Sequence, residues 1–101
     1  MPAIHLVERV NNVKRLPAPG EWESGYWFLS EESAEKLVGG DIYLHTGQQD
    51  ASHFGGTILG YRVEQSGSDT DGKIVFRFAA TMEHKGVFQR EGWGQEKSVR
   101  W

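Results

Sequence analysis

The chain has 101 residues, 38% hydrophobic and 12% aromatic, which is enough for a single domain with one core. It contains no cysteine, which excludes a disulfide framework and a thiolate zinc site. Its net charge of −3 argues against binding duplex nucleic acid through phosphates alone, because that mode requires many uncompensated basic residues. No apolar run approaches the roughly 20 residues that span a bilayer, and no signal-peptide pattern is present. We therefore expect a cytoplasmic protein without a membrane partner.

The charge is unevenly distributed along the chain. Residues 19–72 carry ten acidic residues against two basic ones, whereas residues 73–101 carry six basic residues against three acidic ones. Residues 1–18 are also net basic. A mixed, solvated surface explains this pattern, and so does a basic face formed by two terminal segments that lie side by side.

The first segment alternates as a strand does. Ile4 and Leu6 alternate with His5 and Val7, which predicts a first strand that ends at an Asn-Asn turn. Residues 13–16 form a short return. Residues 17–20, Pro-Ala-Pro-Gly, predict a stiff connector.

Residues 21–29 contain a run that is apolar on both faces, which is typical of a strand covered on both sides. Trp27 and Phe28 are assigned to the core. Trp22 is either a lid over an apolar edge or, with Tyr26, the wall of a pocket for a flat ligand.

A short helix is expected over residues 31–38. Ser30 is a good N-cap, and acidic residues follow it in the first turn, where the helix dipole favours them. Ala34, Leu37 and Val38 form an apolar stripe at i, i+3 and i+4, by which the helix docks.

The stretch 39–61 organises the rest of the chain. A Gly-Gly pair suits the helix exit, residues 41–45 alternate as a strand, residues 46–52 form a polar loop, and residues 57–63 form a second strand. Gly60 within that strand indicates a bulge or a close approach. Residues 73–80 give the clearest strand, and with residues 57–63 they predict a hairpin with a long tip.

The remaining residues have weaker periodicity. Residues 87–90 predict a short strand, and Trp93 lies in a glycine-rich loop. Val99 and Trp101 indicate that the tail packs either on its own sheet or on a second subunit. Cations interleaved with aromatic rings suit single-stranded nucleic acid, because bases stack on exposed rings and phosphates pair with nearby cations; these residues are Lys85, Phe88, Arg90, Trp93, Lys97, Arg100 and Trp101.

His45 and His53 bracket the polar loop, so pairing of the two flanking strands brings the imidazoles close together. Three roles remain open for them: a His-His-Asp metal site, general acid–base chemistry, and hydrogen bonds that hold the loop in one shape. The sequence assigns no catalytic residue, no metal and no cofactor. The predicted ligand-binding residues are Trp22, Tyr26, His45, Gln48, Ser52, His53, Lys85, Arg90 and Trp93.

The helix–strand–loop–strand unit SEESAEKLVGGDIYLHTGQQDASHFGGTILGYRV resembles the PUA-like superfamily, especially ASCH and EVE-type domains. The resemblance rests on Gly40-Asp41 before the first strand and on the glycine-containing strand 56–60. The Gly-x-Lys…Glu-x-Arg signature of ASCH domains is missing, because the region 20–25 has Glu21 and Glu23 but no basic partner. The size and style of the chain also resemble small proteins of bacterial mobile elements.

The sequence predicts an α+β fold: a curled, mostly antiparallel sheet or small barrel of five to six strands with one short helix over residues 31–38. The first functional hypothesis is a non-enzymatic binding module whose aromatic and polar cleft holds a nucleotide, a modified base or single-stranded nucleic acid. The second is a homodimeric interaction protein that uses its aromatic C-terminal tail. The third is a small hydrolase that depends on His45 and His53.

Overall fold

The computed structural model describes residues 2–8, 12–89, 92–94 and 97–101. Their fold is α+β, with one α-helix and one sheet. The strands are β1 (Ala3–Val7), β2 (Val13–Arg15), β3 (Glu21–Trp27), β4 (Asp41–His45), β5 (Ser52–Val63), β6 (Ile74–Ala80) and β7 (Lys97–Arg100). Helix α1 spans Glu31–Leu37, and a single 3-10 turn spans Met82–His84.

The sheet is mostly antiparallel, with the strand order β2-β3-β6-β5-β4-β1-β7. Only the β1–β4 pair is parallel among the described strands. The described strands number seven, where the sequence predicts five to six, and they do not close into a barrel. Two of the seven are short outer strands, β2 and β7, of three and four residues.

The sheet is strongly curled. Lys97, on the outer strand β7, donates a hydrogen bond from its ammonium group to the carbonyl oxygen of Phe28, which follows β3. These elements are five strands apart in the sheet order, so curling brings opposite ends of the sheet into contact. The antiparallel pairing of β1 with β7 also places the two terminal segments side by side.

The core lies on the concave face of the sheet. Alternate residues of β6 point into it, as the sequence predicts, and Phe76 and Phe78 are fully buried. Helix α1 covers this face with Ala34 and Leu37, and Ser30 caps it by accepting a hydrogen bond from the Ser33 amide at 3.2 Å. The helix ends one residue earlier than predicted, and Gly39 takes the positive φ of 89° that its exit requires.

Strand β5 departs from the predicted pattern at its start and in its middle. It begins at Ser52 rather than residue 57, so the Gly55-Gly56 pair lies inside the strand. A Cβ atom on Gly55 would lie 2.2 Å from the carbonyl oxygen of Ile42, which shows that this glycine serves a close backbone approach and not a loop. Further along, a bulge between Ile58 and Gly60 leaves Leu59 exposed.

The bulge corrects the predicted alternation of β5. Ile58, Tyr61 and Val63 pack on the core, whereas strict alternation puts Ile58 on the other face. The predicted short strand at 87–90 is also wrong for residues 87–89, and Arg90 lies outside the described residues. No helix in the described part of the chain is long and apolar enough to cross a bilayer.

Candidate functional site

The structure divides the predicted site residues among three places. His45 and Trp93 lie on the convex face of the sheet, Trp22 and Lys85 lie near Phe54 beside the core, and Tyr26 lines a groove beside β2. The expected single hollow that is open to water is therefore not formed. Arg90 lies outside the described residues.

The first place is a buried imidazole pair. His45 is 0% exposed, and its Nδ1 lies 2.8 Å from the carbonyl oxygen of Asp50. A carbonyl only accepts hydrogen bonds, so the proton of neutral His45 is on Nδ1, and its Nε2 is an acceptor. His5 Nδ1 lies 2.9 Å from that Nε2 and must donate to it. These two hydrogen bonds together require that neutral His5 and neutral His45 both carry their proton on Nδ1.

Aromatic rings enclose this pair. Tyr43 stacks on His5 with ring centroids 4.5 Å apart and an interplanar angle of 9°. The opposite side of Tyr43 meets His84 at 4.8 Å, and His84 Nε2 donates to Asp41 Oδ1 at 2.8 Å. The Trp93 indole lies edge-on to His45, at 5.5 Å and 89°.

Burial determines the electrostatics of the pair. The pKa of His5 is lowered to about 4, mainly by burial and also by the charges of His45 and Arg100. Burial also lowers the pKa of His45, against the opposing effect of its hydrogen bond to the Asp50 carbonyl. Both imidazoles are neutral near neutral pH, and both nitrogens of His45 are engaged.

The other polar residues predicted around the central loop diverge. Ser52 is buried, and its hydroxyl donates to the carbonyl of His84 at 2.5 Å while accepting from the amide of Val87 at 2.9 Å. Its role is to hold the segment after β6 against β5. His53 is exposed, and Gln48 is half-buried in the loop.

Trp22 belongs to the core side of the sheet. Its indole packs edge-on against Phe54 at 5.1 Å, and Phe54 packs in turn against buried Phe78. The ammonium group of Lys85 lies 5.8 Å from the Phe54 ring centroid. This geometry makes Trp22 an extension of the core, which agrees with the lid interpretation and separates it from Tyr26.

Tyr26 lines an open groove of about 200 Å³ between β2, the end of β3 and the neighbouring strands. We call it the seam groove, after the hydrogen bonds by which Asn12 joins β3 to the residue that follows β1. The Gly25 amide donates to the Asn12 carbonyl at 3.2 Å, and the Asn12 amide donates to Glu8 Oε1 at 3.1 Å. The lining residues are Asn12, Val13, Lys14, Glu23, Gly25, Tyr26, Arg62 and Val75.

The charges of the seam groove nearly cancel. Arg62 is fixed by Glu23, with Nε to Oε2 at 3.2 Å, and by a second hydrogen bond from Nη1 to Glu64. These two carboxylates raise the pKa of the Arg62 guanidinium further above its usual range. Lys14 adds one positive charge that is exposed at the groove wall.

Phe28 follows β3, two residues after Tyr26, and is not among the residues that line the groove. Its side chain is 81% exposed, and the ammonium group of Lys97 lies 5.9 Å from its ring centroid. The sequence assigns Phe28 to the core, and this assignment is wrong because Trp27 takes the buried position of the run.

We call the His5–His45 pair, together with Tyr43 and His84, the imidazole cluster. Sequence reasoning missed three of its residues, His5, Tyr43 and His84, and it also missed Lys14 at the groove. The strands that carry His5 and Tyr43 are adjacent because β1 pairs with β4, about 40 residues away in sequence. A local sequence pattern does not predict such a long-range pairing. The alternation of β1 and β4 does put His5 and Tyr43 on the non-core face, which is the one available signal. Among the described residues, no group of three or more His, Cys, Asp or Glu side chains is arranged to hold a metal ion.

Comparisons with family models, with characterised proteins and with solved structures find no match to this chain. The function is therefore argued from the geometry of these three places.

Proposed function

We propose that this protein is a binding module that holds a nucleobase, as a free nucleotide or within single-stranded nucleic acid, in the seam groove. The observation that carries the proposal is the Tyr26 ring, which walls an open groove of about 200 Å³ lined by hydrogen-bonding side chains. Binding sites for flat ligands combine an aromatic wall with a few placed polar groups. This groove provides both.

The aromatic residues suit a stacked base. Trp27 is buried, whereas Tyr26 and Phe28 on either side of it are not, so both rings are available outside the core. The partly buried Tyr26 ring at the groove wall therefore offers the stacking surface. Stacking on such rings accommodates every base, because each base has a π-face.

The polar residues suit the rest of a nucleotide. Lys14 in the wall is exposed and positioned to meet a phosphate oxygen. The exposed side-chain amide of Asn12 offers a donor and an acceptor to a base edge. The resemblance of residues 30–63 to PUA-like domains supports the same ligand class.

The test is equilibrium binding of a fluorescently labelled single-stranded oligonucleotide, followed by anisotropy. Tyr26→Ala removes the stacking wall, and we expect an affinity loss of about tenfold, the effect of losing one base–ring contact. Phe88→Ala is the matched control, because it removes a half-exposed ring outside the groove. Equal affinities for the two variants, or no binding by the unmodified protein, would overturn the proposal.

A homodimer is the second candidate, and the position of β7 at one end of the described sheet favours it. Trp101, which follows β7, is 65% exposed. Sedimentation of Trp101→Ala against the unmodified protein tests it: a monomer in both samples excludes a dimer through the tail.

The hydrolase hypothesis receives no support from the geometry. It requires His45 and His53 to face a common substrate, but His45 is buried with both nitrogens engaged while His53 is exposed. A general base must reach the proton that it removes. A hydrolase would therefore require His45 to move out of the interior, whereas the binding proposal requires no movement of His45.

A further inference from the structure

The buried imidazole pair has a property that ligand binding in the seam groove does not use. Its hydrogen bonds run in one direction, from His5 Nδ1 to His45 Nε2 and from His45 Nδ1 to the carbonyl of Asp50. The pair therefore connects β1 to the loop between β4 and β5. That loop is closed further by the Thr46 hydroxyl, which donates to Asp50 Oδ2 at 3.0 Å.

We propose that the His5–His45 pair is a proton-sensitive latch, which holds the loop 46–50 and the Trp93 indole in place when neutral and releases them when protonated. Trp93 lies over both imidazoles, with centroid distances of 6.3 Å to His5 and 5.5 Å to His45. The latch thus touches two segments that lack regular secondary structure of their own.

The hydrogen-bond directions decide where protons can enter. With both Nδ1 atoms protonated and His45 Nε2 accepting, the only remaining lone pair of the two neutral rings is on His5 Nε2. A first proton there places a charge on a side chain that is 4% exposed. A second proton would put N–H groups face to face across a 2.9 Å contact, which the pair cannot accommodate.

The surroundings do not compensate that charge. Within the described part of the chain, neither imidazole makes a hydrogen bond to a carboxylate, and Asp50 uses its carboxylate on Thr46. The charged and titratable groups on the neighbouring elements are Glu8 after β1, Asp41 and Tyr43 on β4, Asp50 in the loop, His53 on β5, His84 in the 3-10 turn and Arg100 on β7. Arg100 repels the proton, and His84 spends its Nε2–H on Asp41.

The direction of the pH effect follows from burial. The pKa of His5 is about 4 in the folded protein and about 6.5 in an unfolded chain, so the folded state binds fewer protons. The latched state therefore has its full stability above about pH 6.5 and loses stability as the pH falls toward about 4. Opening of the loop lets water solvate the charged imidazole.

The test is hydrogen exchange of the intact chain by mass spectrometry, corrected for the intrinsic effect of pH. Between about pH 7 and pH 4.5, we expect protection of residues 46–50 to fall about tenfold through local opening, while Ile74–Ala80 still exchanges far more slowly than the loop. His53→Gln, which changes an exposed histidine, should behave as the unmodified protein does. His5→Gln should already be open near pH 7 and show no further pH response.

Two results would overturn the latch. One is equal protection of residues 46–50 at both pH values, and the other is exchange of residues 46–50 and Ile74–Ala80 at the same rate at the lower pH, which would show global acid unfolding. If His5→Gln does not fold, imidazole nitrogen NMR of the unmodified protein decides. The latch requires Nδ1-protonated tautomers for both histidines near pH 7, and an Nε2-protonated ring in either residue contradicts it.

Discussion

The imidazole cluster and the seam groove use the same kinds of side chain in opposite ways. In the cluster, each ring nitrogen of His45 has a hydrogen-bond partner, and Tyr43 is enclosed between two imidazoles. These groups are therefore satisfied by contacts within the protein. In the groove, Tyr26 and the exposed Lys14 face solvent. A high density of aromatic and polar side chains therefore does not by itself mark a binding site. A binding site is marked by hydrogen-bonding groups and ring faces that are left without a partner at an accessible surface.

The largest expected effect comes from breaking the cluster at its centre. His45→Ala leaves the Asp50 carbonyl and His5 Nδ1 without partners and opens a cavity, so we expect the free energy of unfolding to fall by about 4 kcal/mol. Chemical denaturation measures it. His53→Ala, at the exposed histidine on the next strand, should stay within about 0.5 kcal/mol of the unmodified protein. Similar losses in both variants would show that the cluster has no special structural role.

A smaller loss in the free energy of unfolding is expected from a change on β5, at the point where His84 of the cluster packs against Gly55. The Cβ of Gly55→Ala would meet the Ile42 carbonyl oxygen at 2.2 Å and the Cβ of His84 at 3.0 Å, so the 3-10 turn must shift. We expect about 3 kcal/mol of destabilisation by thermal or chemical unfolding.

Gly60→Ala is the matched control for Gly55→Ala. It adds the same methyl group in the same strand, but the nearest atom is the flexible end of Arg77 at 3.5 Å. It should cost less than about 1 kcal/mol. If Gly60→Ala proves the more damaging change, the close approach at Gly55 is not what fixes β5.

These glycines also show which parts of the fold could be predicted from sequence. The helix, the β6 alternation and the hairpin follow from local patterns: the cap at Ser30, the apolar period of two and the Asp71-Gly72 turn. Gly55 looks the same in sequence whether it ends a loop or allows two backbones to approach, so the sequence predicts a start of β5 that is five residues too late. Only tertiary context separates these cases.

The candidate site was less predictable for a related reason. Tyr26 was identified from its aromatic run, and His45 from its place beside a polar loop. Which face each residue occupies depends on the parallel β1–β4 pairing and on the curl that brings Lys97 to Phe28. Both are contacts between residues distant in sequence, and no motif spacing encodes them. The sequence therefore predicts one site for nine residues that the structure divides among separate places.

The smallest expected effect belongs to the groove. Lys14→Ala removes one exposed cation, and we expect about threefold weaker oligonucleotide binding and a salt dependence reduced by about one unit of slope. Lys36→Ala is the control, because Lys36 pairs with Glu32 on the helix surface at 3.3 Å, outside the groove. Anisotropy titrations over a range of salt concentrations measure both quantities. An unchanged slope for Lys14→Ala would remove it from the phosphate contacts.

The most direct test of the contrast between the two regions is a backbone amide NMR titration with a short single-stranded oligonucleotide. The account predicts that the largest shifts fall on residues 12–14, 23, 25, 26, 62 and 75, which line the seam groove. Residues 5, 43 and 45 should shift little. Largest shifts at those three residues and at Trp93, with an undisturbed groove, would contradict the account.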